Sequence, residues 1–272
     1  MNFDFELILF YATVVCGVIA LLDIIFWAPT RNRLHAQRAK NLEKPPELKL
    51  PLIIDYARSF FPVLLLVFLI RSFLFEPFRI PTGSLEPTLR IGDFILVNKY
   101  AYGIRLPVLH KKIFANAEPA RGDIVVFRWP PNPSYNFIKR IIGIPGDHIS
   151  YIDKTIYVNG QKISQDFEKN TTNNDEGDPI NVVQKKENFL GIQHTIYQIE
   201  NHPAVDYKDI IVPEGMYFAM GDNRDNSMDT RYWGFVPEKN IVGKGTLVWM
   251  SWSSPSSWSD KIRWKRIGTM IH

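Results

Sequence analysis

Phe137-Ile138-Lys139-Arg140-Ile141-Ile142-Gly143-Ile144 runs straight into Pro145-Gly146-Asp147. An aromatic and β-branched run closed by a turn tripeptide reads as a strand followed by a tight turn. The pattern repeats outward in both directions. Phe94-Ile95-Leu96-Val97 and Ile124-Val125-Val126-Phe127 precede it; Thr155-Ile156-Tyr157-Val158 and Met216 to Met220 follow. Asn159-Gly160 after one of these runs is a hairpin signal, and Pro213-Glu214-Gly215 is another turn. No long segment of 3.6-residue period occurs beyond Glu76-Pro77. The predicted outer domain, 78–272, is therefore all-β, a coiled or closed antiparallel sheet. Residues from about Gln165 to Gln184 are polar and rich in Asn, Asp, Glu and Lys, the signature of a loop or lobe surface. They suggest a smaller inserted β lobe over 152–212.

Composition excludes other classes. Of 272 residues, 46% are hydrophobic and 22% charged, which rules out a disordered or low-complexity chain. The single cysteine, Cys16, cannot form an internal disulfide and lies in an apolar run. A net charge of +4 without a basic-aromatic stripe argues against a nucleic-acid partner. The six histidines (His35, His110, His148, His194, His202 and His272) include no pair at a ligand spacing, so no metal and no cofactor are expected.

The N-terminal third is of another kind. Leu7 to Leu22 carries no charge, Asp23 interrupts, and Ile24 to Pro29 continues. That suffices for a bilayer core, which takes about 20 residues. A cleaved secretory signal would carry a basic leading segment; here Asp4 and Glu6 stand instead, with no small-x-small site after the run. The reading is a retained transmembrane segment, 1–30. A second apolar run, Ser59 to Phe75, is broken only by Arg71, whose long side chain can snorkel. It predicts a second span over 58–77, a buried core helix being the alternative for so short a run, with Pro62 in its first turn. Between them, 31–57 is basic: Arg31, Arg33, Arg38, Lys40, Lys44 and Lys49 outnumber Glu43 and Glu47. Basic short loops stay in the cytoplasm, so the N-terminus and the β domain face out.

Three segments outside the spans carry chemistry. Pro81-Thr82-Gly83-Ser84-Leu85-Glu86-Pro87-Thr88 holds a serine in a backbone stiffened by two prolines. Alone it reads as a connector. Lys139 stands on the strand quoted first, sharing a face with Phe137 and Ile141. Desolvation there disfavours the ammonium, which is what a lysine general base requires. Alone it reads as a snorkelling strand lysine, with Arg140 on the other face. Gly221 to Gly234 is polar and turn-rich, either a braced loop or a scaffold for the base. There is no G-x-S-x-G elbow and no S-x-x-K.

Together, in this order and spacing, the three segments and the Arg121–Phe127 strand resemble bacterial type I signal peptidase (leader peptidase). The resemblance covers most of the chain. It implies that Ser84 is a nucleophile and Lys139 its neutral general base. It implies that Thr82 joins the oxyanion hole, that Ser227 orients the amine, and that Asp229 and Arg231 brace the loop. It carries over Phe78, Ile80, Leu85, Leu89, Val126, Phe137 and Ile138 as the lining of shallow apolar pockets, although Val126 and Ile138 read equally as core. It makes secretory preproteins and the lipid bilayer the partners. The location it implies is a bacterial cytoplasmic membrane, multi-pass, with the β domain on the outer face. The chain departs from some relatives in lacking a disulfide and in having Leu85 where Met is frequent.

Trp249, Trp252, Trp258 and Trp264 crowd the last residues beside Lys261, Arg263 and Lys265. Such a surface suits an anionic membrane interface, and an aromatic core strand explains it equally. The rival function is a membrane-tethered β domain that binds peptides or lipids without cutting. It needs the anchor and the sheet but not Ser84 beside Lys139. A third is a repressor-cleaving Ser–Lys autoprotease, which would usually carry a DNA-binding domain where this chain is apolar.

Overall fold

The computed structural model describes residues 5–39, 49–173, 179–252 and 261–271. The chain divides into two compact units, 1–74 with 107–109, and 75–106 with 110–272.

The first unit is helical. Helix α1 (Phe5–Leu22) passes through a π-helical turn, Asp23–Trp27, into α2 (Ala28–Ala39). Phe5–Arg38 is long and apolar enough to cross a membrane. At 1.5 Å per residue it would span about 50 Å, beyond the ~30 Å of a bilayer core. Arg31, Arg33 and Arg38 therefore belong to a helix and not, as expected, to a loop from residue 31. Asp23 is fully buried and is held by Arg31 at 2.8 and 2.9 Å and by Arg58 at 3.3 Å. A buried carboxylate in an apolar span requires such partners. Lys40, Glu43, Lys44, Glu47 and Asp4 lie outside the described residues.

Helix α3 (Leu52–Leu69), extended by a π turn over Ile70–Leu74, is the second helix that could cross. It starts at Leu52 instead of residue 58, so Pro62 lies inside it instead of in its first turn. The apolar residues Leu52, Ile53 and Ile54 before Asp55 supply the extra turn. Phe75–Pro77, expected in this span, is strand, because its backbone pairs with Val97 and its neighbours.

The second unit is all-β apart from short turns and one four-residue helix. Its strands are β1 (Phe75–Arg79), β2 (Asp93–Asn98), β3 (Ile124–Arg128), β4 (Asn136–Gly143), β5 (His148–Ile152), β6 (Thr155–Val158), β7 (Ser164–Asn173), β8 (Ile180–Phe189), β9 (Ile192–Gln198), β10 (Tyr207–Ile211), β11 (Met216–Met220) and β12 (Ile241–Ser251), with very short pairs beside them. The main antiparallel sheet has the order β1-β2-β12-β3-β4-β11, ending on Val236–Pro237, with Thr269–Met270 also against β12. The hydrogen-bonded path is open, and register shifts along β12 and β11 bend it. Both faces are covered. Ile124 and Val126 point into one apolar cluster with Ile95, Val97 and Val248; Val125 and Phe127 point into another with Ile141 and Val236.

Two smaller sheets follow. One has the order β10-β5-β6 with Gln161–Lys162; the other is β7-β8-β9. The first begins at His148, ahead of the expected boundary at 152, because Ile149 and Tyr151 bury themselves against Ile142 and Phe218 of the main sheet. The polar stretch 165–184, read as loop or lobe surface, is mostly strand. β7 and β8 pair from Ser164↔Asn188 to Asn173↔Ile180. Trp249, Trp252 and Trp264 are exposed, at 42%, 44% and 69%, so they do not form an aromatic core. Trp258 lies outside the described residues.

Candidate active site

Ser84 sits in the turn-rich link between β1 and β2. That link is cinched at its base, where Ile80 N donates to Asp93 O at 2.8 Å and Gly92 N to Ile80 O at 2.9 Å. The fully buried Asp93 is gripped by Arg266 and accepts from Ser251 Oγ at 2.6 Å. Leu85 and Leu89 are buried in the first apolar cluster. They hold the segment after Ser84 against the sheet.

Lys139 comes from β4, an interior strand flanked by β3 and β11. It is not a snorkelling edge residue. Its amine lies 2.5 Å from Ser84 Oγ, and the two residues are 4% and 7% exposed. The Phe137 ring is 5.5 Å from Nζ, as the two-residue strand period requires. Phe137 is itself stacked on Trp129 at 5.1 Å. Arg140 turns the opposite way and is fully buried.

The Gly221–Gly234 segment anchors this pair from behind. Asn223 N donates to Ser84 O at 3.1 Å, and Asn223 Nδ2 donates to Gly83 O at 3.1 Å. In a trans peptide the Ser84 N–H points opposite to the Gly83 carbonyl, hence away from Asn223. Gly221 lies so close that a Cβ there would stand 2.2 Å from Ser84 O and 2.3 Å from Ser227 Oγ. Ser227 is thus near Ser84. Its Oγ is nevertheless buried without a hydrogen-bond partner, so the expected bond from Ser227 to the Lys139 amine is not formed here. The side chain packs on Gly221 instead. Asp229 caps the short helix α4 (Thr230–Trp233), accepts from Gly221 N at 3.1 Å, and pairs with Arg231 through two bonds of 2.8 Å. Thr82 is exposed, two residues before Ser84.

Four charged residues, none of them singled out from the sequence for the site, complete the support. Arg140 donates to both oxygens of Asp222 at 2.9 and 2.8 Å, and Thr88 Oγ1 donates to the same carboxylate at 2.5 Å. Arg224 grips Glu187 of β8 with both terminal nitrogens, one of them at 2.8 Å. His194 lies between these pairs, 3.2 Å from Glu187 and 3.8 Å from Asp222. Burial pushes the Asp222 carboxyl upward, but Arg140 outweighs it and the pKa ends below the usual range. Burial likewise opposes ionisation of Glu187, and Arg224 and His194 together hold it well below. The sequence signal was faint: charged residues scattered over distant segments whose partners only the fold brings together. Buried ions persist only when paired.

The expected pocket residues are placed unevenly. Ile80, Leu85, Leu89 and Val126 are core, at 2% exposure or less. Burial in the first apolar cluster keeps them from forming an open wall. Phe78 and Ile138 pack against that cluster and stay partly exposed, as Phe137 does beside the second. Phe78 and Ile138 therefore form an open rim over a packed floor, and Phe137 stands on the opposite face of β4, beside Lys139. Among the described residues no group of three or more His, Cys, Asp or Glu could hold a metal ion.

Comparison with known proteins agrees over most of the chain. The family described as signal peptidase, peptidase S26, matches residues 53–252. A signal peptidase I of Pseudomonas fluorescens is 45% identical over 94% of this chain and 95% of its own. One from Pseudomonas aeruginosa is 42% identical over the whole of both chains. One from Buchnera aphidicola is 41% identical over 78% of this chain and 80% of its own.

Proposed function

The chain belongs to the bacterial type I signal peptidases of the S26 peptidase family, and on that premise we propose that it cleaves signal peptides with Ser84 as nucleophile and Lys139 as general base. The observation that carries this reading is the 2.5 Å approach of a buried amine to a buried hydroxyl across 55 residues of chain. A non-catalytic binding domain has no use for that approach.

The steps follow from the geometry. A serine hydroxyl becomes a competent nucleophile when a base takes its proton. An amine enclosed by Phe137 and the sheet is in surroundings that disfavour its charged form. Ser84 Oγ attacks the scissile carbonyl carbon while its proton passes to Lys139 Nζ. The oxyanion that forms is held by the Ser84 N–H, directed away from Asn223, and by the Thr82 hydroxyl. Lys139 then gives the proton to the leaving amine and the C–N bond breaks. An ester to Ser84 remains. Water attacks this ester while Lys139 takes its proton; the acyl C–Oγ bond then breaks as Lys139 returns the proton to Ser84 Oγ, and the signal peptide leaves with a new carboxylate.

The substrate would lie extended along a strand edge, with small side chains beside Phe78, Phe137 and Ile138. A packed floor under that rim leaves room only for small groups, which supports cleavage after small-x-small sequences. The two apolar helices would anchor the enzyme as a multi-pass protein of the cytoplasmic membrane. The basic C-terminal half of the first helix would then face the cytoplasm and the β domain would face out. The exposed Trp249, Trp252 and Trp264 would rest at the outer interface.

The test uses the full chain in lipid vesicles with a preprotein. Ser84→Ala and Lys139→Met are each expected to stop cleavage, and wild-type turnover is expected to rise with pH as the amine loses its proton. Near-normal cleavage by Lys139→Met at neutral pH overturns the reading.

A further inference from the structure

A cavity lies within the β unit, beside the segment that follows Ser84. Its volume is about 640 Å³, within the range of ligand sites. One wall is the chain just past Ser84, residues 86–90. The opposite wall is one face of the small β7-β8-β9 sheet. Lys169, Gln184 and Tyr197 stand in register across its three strands, and Thr171 and Thr195 extend that face by the two-residue period. A hydrogen bond from Asn173 Nδ2 to a Glu86 carboxylate oxygen joins the two walls.

The chemistry of this cavity contrasts with that of the rim. The part-exposed side chains Phe78, Phe137 and Ile138 are apolar, although Arg79 and Thr82, just before Ser84, are exposed and polar. After Ser84 the wall and its partner sheet offer hydroxyls, amides and two exposed cations, Arg90 and Lys169; the Glu86 carboxylate and His194, which also line the cavity, are buried, and Glu86 accepts from Asn173. Hydroxyl and amide side chains both donate and accept, so they can serve the main chain of an extended peptide without selecting its side chains. A sheet face left polar in front of a cavity gains nothing from hydrophobic burial, so core packing does not account for it.

We propose that this cavity receives the polar segment on the C-terminal side of the scissile bond, the start of the mature chain. The inference rests on the signal-peptidase reading and extends it to the other half of the substrate. The nucleophile then divides two surfaces: an apolar rim for the signal peptide and a hydrophilic groove for the chain being released. The cations Arg90 and Lys169 give the groove a preference for acidic over basic residues in the mature segment.

The experiment uses the full chain in vesicles and two peptides that share one signal sequence. One ends in an amide a single residue beyond the scissile bond. The other continues for about six polar residues, roughly 20 Å when extended. The longer substrate is expected to show kcat/KM about tenfold higher, mainly through KM. Thr195→Trp, which fills the groove, is expected to bring the ratio between the two substrates close to unity. Lys169→Glu, at an exposed position, is expected to reverse the preference between acidic and basic mature segments even where the tryptophan variant does not fold. Equal kcat/KM for both substrates in the wild type overturns the inference, as does an unchanged ratio in Thr195→Trp or an unchanged charge preference in Lys169→Glu. These outcomes leave the cleavage reading intact, because that one stands or falls with Ser84→Ala on the short substrate.

Discussion

Asn223 holds Ser84 from behind: its N–H donates to the serine's carbonyl at 3.1 Å, and its side-chain amide takes the preceding carbonyl of Gly83 at 3.1 Å. Two adjacent peptide groups are thereby fixed, and with them the direction of the N–H that would meet an oxyanion. A residue 139 positions away in sequence sets the attitude of Ser84.

Asn223→Ala removes the side-chain bond and leaves the main-chain one. A buried bond of this kind is worth about 1–3 kcal/mol once its partner is orphaned. The expected result is kcat lower by roughly tenfold to a hundredfold with KM little changed, since the loss falls on alignment in the transition state. Steady-state kinetics on a preprotein peptide checks this; an altered KM at constant kcat would contradict it.

Gly221→Ala places a methyl where no room exists, against the carbonyl of Ser84 and the hydroxyl of Ser227. Removing the Ser227 hydroxyl, as Ser227→Ala would, relieves neither the contact with the Ser84 carbonyl nor that with the Ser227 Cβ. The expected cost is about 1–3 kcal/mol in stability, from overpacking, together with loss of cleavage that the double variant does not restore. Thermal unfolding and turnover measured side by side decide it.

Thr82→Val keeps the shape of the side chain and deletes its donor. If Thr82 supplies half of the oxyanion hole, the transition state loses about 2–4 kcal/mol, read as a fall in kcat. Thr82→Ser should retain activity. A valine variant with an unaltered rate would assign the bond to another group.

Acid should weaken the β unit through Glu187 and Asp222. Both carboxyls titrate below their ordinary values in the folded chain, since Arg224 and Arg140 outweigh the effect of burial. The unfolded chain therefore binds more protons at low pH. The stability these groups contribute is complete above the unfolded values near pH 4 and drains away as pH falls below them. Glu187→Gln is expected to flatten that acid dependence. It should also cost about 3–5 kcal/mol at neutral pH by stranding the buried Arg224. Urea unfolding followed by tryptophan fluorescence, at neutral and acid pH, measures both.

Strand by strand, much of this was legible. Phe137–Ile144, Ile124–Phe127 and Phe94–Val97 announce themselves through β-branched runs closed by turns, and all three are strands. The two apolar helices were equally plain, though Leu52 as a start was not, because capping and helix continuation depend on backbone bonds that hydropathy does not report. The β7–β8 ribbon was legible only as part of a β lobe, not strand by strand. Most of β7 is exposed, and the buried positions of β8 include the charged Glu187, so no alternation of apolar and polar side chains marks the ribbon.

Local pattern, then, was enough for the class of fold and for the two apolar helices, since each depends on residue type within a few positions; Ser84 and Lys139 stood out only through the resemblance carried jointly by distant segments. What needed the folded chain was every relation across distance. These are the meeting of Ser84 with Lys139, the burial of Leu85 and Leu89 as floor, the packing of Ser227 on Gly221, and the Arg140–Asp222 and Arg224–Glu187 pairs. Charges become partners, and apolar side chains become core or wall, only when the sheet has brought distant segments within a few ångströms and excluded water between them.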